Sequence, residues 1–179
     1  MNDTLSWRAR LGAALATVAF FGLIGLYTRE YAVFTNTLQA GRLVGGAVLA
    51  GLLLAVGILY ALRRRLTPWS RHVPEALLIA VFVPLFAPLA ASRINRAGGE
   101  VSYRSFEFVA EVPYVAAAYG WLRFQPIRIT GYRLIVRREG RTYRFQYKSR
   151  RYFPLTQSGE AVLLPLRRGY LGIEVMELR

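Results

Sequence analysis

Residues able to do acid–base or metal chemistry are few in this chain. His72 is the sole histidine, and the only aspartate is Asp3, near the N-terminus. Neither can complete a Ser-His-Asp set with the residues around it. There are no cysteines, so thiolate metal sites, disulfide frameworks and cysteine nucleophiles are excluded. Glu107 and Glu111 are four residues apart, which on a regular strand sets them on one face about 13 Å from each other. That spacing is too wide for a shared proton or a metal ion and predicts ordinary solvated carboxylates. Gly98-Gly99 has none of the surroundings of a phosphate loop and reads as a flexible joint. The chain is expected to be non-enzymatic, without cofactor or metal.

What remains is positive charge. From Arg93 onward the chain holds sixteen Arg or Lys residues against seven Glu, within a formal net charge of +14 for the whole. Arg133, Arg137, Arg144 and Lys148 fall in a segment of alternating character, and they are the candidate residues for gripping an anionic group: a lipid headgroup, an acidic polymer or an acidic protein partner. Tyrosines and phenylalanines interleave with these arginines, as they do in single-strand nucleic-acid binders. The alternation turns the rings away from the arginine face, so nucleic acid is not the expected ligand.

The elements that must position these residues are of two kinds. Three apolar runs, Leu11–Tyr27, Leu43–Leu62 and Ala76–Ala91, contain no charged residue. A hydrocarbon core about 30 Å thick takes about 20 helical residues to cross. The second run has that length, and the third reaches it over 75–92. Residues 1–92 are therefore predicted to form a three-helix transmembrane region, with spans near 11–27, 43–62 and 75–92. Arg8 and Arg10 resemble the basic start of a signal peptide, but no small-residue cleavage site follows, and an uncleaved helix is expected.

Orientation follows from loop arginines, which are retained on the cytoplasmic side. Arg8, Arg10, Arg63, Arg64, Arg65 and Arg71 lie on one side of a three-span chain; Arg29, Arg42, Arg93 and Arg96 lie on the other. This predicts a cytoplasmic N-terminus and an extracytoplasmic tail. The apolar stretch Val112–Leu122 is the alternative to weigh, since a fourth crossing there would return the tail to the cytoplasm. Its eleven residues, with Pro113 and Gly120, are too short and too broken for a full span.

In the second span Ala47, Gly51 and Ala55 form a small-residue stripe suited to close helix packing, either within the chain or in a homo-oligomer. Pro84 and Pro88 sit one turn apart in the third. The absence of ionisable residues inside the runs speaks against ion or proton transport.

After a linker over 93–102, residues 103–179 read as a small all-β domain. Tyr103–Val112 alternates as a first strand, with Phe106, Phe108 and Ala110 on one face. A two-residue turn at Glu139–Gly140 pairs Val136 with Tyr143, Leu134 with Phe145 and Tyr132 with Tyr147, all on one face. A second turn, at Arg168–Gly169, pairs Leu166 with Leu171, Leu164 with Ile173 and Val162 with Val175. Five such strands predict a partly closed barrel of the OB or SH3 kind. Between the first strand and the first hairpin, Tyr119, Trp121, Arg123 and Phe124 have the composition of a membrane-interface belt; a hydrophobic plug for the barrel end is the other reading.

Asn95, Gly131–Val136, Ser158–Val162 and Gly169–Gly172 together give the chain a resemblance to uncharacterised bacterial multi-span membrane proteins with a small C-terminal β domain. The resemblance implies architecture only and supplies no catalytic residues; an inner-membrane location is expected for the chain. The near-exclusive use of arginine over lysine suits a GC-rich bacterial genome. The expected function is to present a basic β domain at the membrane surface for an anionic ligand, lipid or protein partner. The alternative is a subunit or regulator of a larger membrane complex, associating through its helices.

Overall fold

The computed structural model describes residues 7–68, 72–115, 129–148 and 150–177. It comprises helices α1 (Trp7–Thr35), α2 (Ala40–Leu62) and α3 (Val73–Arg96), then strands β1 (Val101–Tyr114), β2 (Gly131–Arg138), β3 (Arg141–Tyr147), β4 (Ala161–Arg168) and β5 (Glu174–Met176). The chain forms two compact units, one of Met1–Tyr31 and Gly41–Arg93, the other of Ala32–Ala40 and Ile94–Arg179.

All three helices are long and apolar enough to cross a membrane. They outrun the charge-free stretches that announce them. α1 continues two turns beyond Tyr27, carrying Arg29 and Glu30, because nothing breaks the backbone ladder before Asn36. The Glu30 carboxylate, mostly buried, lies 3.7 Å from the Arg93 guanidinium of α3, and this pairing lets both charges sit within helical segments. α3 likewise begins at Val73 and runs on to Arg96, while β1 already starts at Val101, so the linker expected over 93–102 contracts to Ala97–Glu100.

In the helical unit, Leu43, Ala47, Gly51 and Ala55 make one buried stripe along α2. A Cβ placed on Gly51 would meet the Pro84 Cα at 2.7 Å and the Ala87 Cβ at 2.8 Å. Only glycine lets α2 and α3 approach this closely, and such close van der Waals packing is what holds helices together in lipid. The Tyr27 hydroxyl donates to the Leu85 carbonyl at 2.9 Å, tying α1 to α3 beside the two prolines.

In the second unit the strands form one antiparallel, nearly closed, barrel-like sheet in the order β3–β2–β1–β4–β5. β1 is the hub. Its first half, Val101–Glu107, pairs with β4, and its second half, Glu107–Tyr114, with β2. A bulge at Val109 lies early in the half paired with β2, and the extra residue bends the strand so that the sheet can curl. Phe106, Phe108, Leu134, Val136, Phe145, Val162, Leu164 and Leu166 fill the interior.

The first hairpin has the register that its pattern predicts: Tyr132 opposite Tyr147, Leu134 opposite Phe145, Val136 opposite Tyr143. Glu139 and Gly140 both take positive φ, 51° and 73°, the backbone of a tight hairpin turn whose twist matches its strands. The second hairpin differs from expectation. Leu166 faces Met176 and Arg168 faces Glu174, so the turn is a five-residue loop, Gly169–Ile173, rather than Arg168–Gly169. The cause lies far away in sequence. Asn95, 1% exposed, receives the Tyr170 N–H on its carbonyl (3.2 Å) and the Leu171 N–H on its Oδ1 (3.1 Å), while its Nδ2 donates to the Ile173 carbonyl (3.0 Å). A side chain that satisfies the loop's backbone groups stabilises the longer turn over the short one.

A second asparagine completes the sheet. The Gln146 N–H of edge strand β3 donates to Asn36 Oδ1 (2.7 Å), and Asn36 Nδ2 donates to the Gln146 carbonyl (2.7 Å). On its other side, the Asn36 carbonyl accepts from the Met176 N–H (2.8 Å), and the Leu38 N–H donates to the Glu174 carbonyl (3.0 Å). Thr37 thereby bridges to Val175 of β5. The turn after α1 thus fills the gap between the two edge strands.

Candidate functional site

The outer face of the β2–β3 hairpin is built by alternation. The tight turn fixes the register, so Leu134, Val136, Phe145 and Tyr147 are buried, while Arg133, Arg137 and Arg144 point to the exposed side. Arg144 stands opposite Ile135, with Arg133 and Arg137 on its two diagonals. Diagonal neighbours on one face lie about 7–8 Å apart, within reach of long side chains. Lys148, also exposed, follows one residue beyond β3.

The four sequence-predicted basic residues are not equivalent. Arg137 Nη1 lies 3.4 Å from Glu107 Oε1, which offsets its charge. Arg138 pairs with Glu139 and covers the Phe106 ring at 5.6 Å. Arg133, Arg144 and Lys148 have no carboxylate partner among the described residues. Arg141, exposed beside the turn opposite Arg138, likewise has no carboxylate partner among the described residues, so the uncompensated charge runs from Arg141 through Arg144 and Arg133 to Lys148. Beside the tip, an open cleft of about 330 Å³ is lined by Ser105, Glu107, Arg137, Arg138 and Glu139 among others, and its charges cancel. Pattern alone could not show this cleft, because it depends on β1 lying beside the turn.

Glu111 is a correction. The Val109 bulge flips the strand's phase, so Glu107 and Glu111 do not share a solvated face; the Glu111 side chain is fully buried. It accepts the Tyr152 N–H at 2.8 Å and the Phe153 N–H at 3.2 Å, with Arg151 Nε 3.4 Å away. A carboxylate so satisfied pins the β3–β4 connection. His72 has its Nδ1 3.7 Å from Glu75 Oε1 in the first turn of α3.

Of the stripe Ala47, Gly51 and Ala55, all buried, Gly51 packs directly on α3 of the same chain. Tyr119, Trp121, Arg123 and Phe124 lie outside the described residues. On either side of them, Tyr114 ends β1 directly opposite Gly131, the first residue of β2, and the Thr130 N–H donates to the Tyr114 carbonyl (3.0 Å).

Among the described residues no three His, Asp or Glu side chains come together as metal ligands would. Comparison of the chain with protein-family models, with curated protein sequences and with solved structures finds no match in any of the three.

Proposed function

We propose that this is a bacterial inner-membrane protein, non-enzymatic, whose β unit offers the Arg133–Arg144 face to an anionic group on the extracytoplasmic side. The observation that carries the reading is the pair Arg133 and Arg144, exposed on a register-locked hairpin and uncompensated by the carboxylates that neutralise Arg137 and Arg138. A guanidinium fork on a rigid strand suits phosphate or carboxylate equally.

The orientation rests on two supports. The arginine balance of the loops favours a cytoplasmic N-terminus. The turn after α1 and the tail after α3 belong to one compact unit, which agrees with their lying on one side of a three-span chain. Association through the α2 stripe has less to recommend it, since its residues are already buried within the chain and Gly51 is packed on α3.

The test is cosedimentation of the intact protein, held in zwitterionic nanodiscs, with phosphatidylglycerol vesicles and with an acidic polypeptide. Binding to at least one anion, weakened by salt and by Arg133→Gln with Arg144→Gln, is expected. Binding indifferent to both the variants and salt sinks the proposal.

A further inference from the structure

Asn36 closes only part of the β3 edge. In a hairpin with a two-residue turn, Arg141, Tyr143, Phe145 and Tyr147 direct their backbone groups at β2, which leaves those of Thr142, Arg144 and Gln146 directed outward. Gln146 spends both groups on Asn36. Among the described residues nothing meets the N–H and C=O of Thr142 and Arg144. Among the described residues four main-chain groups thus stand open on an ordered edge, beside the exposed Arg144 side chain and one strand from Arg133.

We infer that this edge takes an extended acidic segment of a partner protein as an added strand, on the reading above that the arginine face binds anions. Strand addition draws affinity from main-chain hydrogen bonds and specificity from alternate side chains. The residues of an incoming antiparallel strand that bond to Thr142 and Arg144 turn their side chains to the same face as Arg144. Glutamates or aspartates at those alternate positions stand beside Arg144, and Arg133, one strand further in on the same face, adds to the positive charge they meet. Charge also decides against a second copy of the same edge, because β3 paired with β3 sets arginine against arginine, and like charges across a strand pair are destabilising. Lipid headgroups can use the guanidinium groups but have no use for the open backbone.

The test uses the full chain in zwitterionic nanodiscs and a seven-residue peptide with glutamate at three alternate positions and valine or threonine between. A second peptide is methylated on the glutamate nitrogens, which keeps its charge and removes the donors that face β3. The first peptide is expected to bind in a salt-sensitive manner. N-methylation, Thr142→Pro in the protein and Arg144→Glu should each weaken it by about tenfold or more. Equal binding of the two peptides overturns strand addition and leaves the anion-binding face standing. Binding of phosphatidylglycerol vesicles, sensitive to Arg144→Gln, with neither peptide bound, also overturns it and assigns the face to lipid. Failure of peptides and vesicles alike overturns both readings.

Discussion

The side-chain amide of Asn36 pairs with the backbone of Gln146 as one strand residue pairs with another, through two hydrogen bonds of 2.7 Å across 110 positions of sequence. Asn36→Ala leaves both Gln146 groups without their partner, while Asn36→Asp keeps the acceptor and loses the donor. The expected costs are about 1–3 kcal/mol for alanine and no less for aspartate, whose second oxygen would face the Gln146 carbonyl. Hydrogen exchange reads this locally: the Gln146 amide should lose protection in Asn36→Ala while those of β1, at the centre of the sheet, keep theirs. Unchanged protection at Gln146 contradicts the pairing.

Asn95 should behave as a second staple. Asn95→Leu fills a similar volume but abandons the Leu171 N–H and the Ile173 carbonyl in a buried setting, a loss of about 1–3 kcal/mol in thermal or denaturant stability. The Gly169–Ile173 loop amides should exchange faster, and a variant with wild-type stability argues against the staple.

Glu111 tests the bulge. Glu111→Ala strands the Tyr152 and Phe153 N–H groups and the Arg151 guanidinium, whereas Glu107→Ala removes only an exposed pair. The first should destabilise by about 2–4 kcal/mol and the second by under about 1 kcal/mol. Equal effects would restore the expectation that both carboxylates are solvated.

Much of this fold is legible in the sequence. The first hairpin is readable because a two-residue turn and period-two alternation admit a single register that buries Leu134, Val136, Phe145 and Tyr147 together. The second hairpin is not, because Asn95 decides its loop, and no local pattern announces a partner some 75 residues upstream. The Val109 bulge escapes for a related reason: Phe108-Val109-Ala110 is apolar throughout, so no polar residue marks a change of phase, and the extra residue shows only in the pairing of β1 with β2. Among the arginines, the sequence locates Arg133, Arg137 and Arg144 on one face but cannot show that Glu107 neutralises one of them.

Packing of α2 on α3 gives a sharper mutational test. Gly51→Leu has no room beside Pro84 and Ala87, and overpacking by such a side chain costs about 1–3 kcal/mol or forces the helices apart. Leu53→Ala, at an exposed position of the same helix, should be nearly silent. Thermal unfolding in detergent distinguishes the two, and equal tolerance contradicts the close approach.

Orientation is open to a clean labelling experiment, because the chain has no cysteine of its own. Ser158→Cys in the β unit should react with a membrane-impermeant maleimide in cells whose outer membrane is permeabilised. His72→Cys should react only after lysis. The reverse pattern would invert the proposed topology.

The participation of Asn36 and Leu38 in the sheet also bears on how the protein is made. The ribosome delivers the turn after α1 before any strand exists, and its last strand partner, β5, follows the other four strands. Until Met176 emerges, that turn waits with its polar groups on water. Translation that stops short of β5 therefore leaves the oldest piece of the domain unmatched, and the making of β5 is itself the step that locks it.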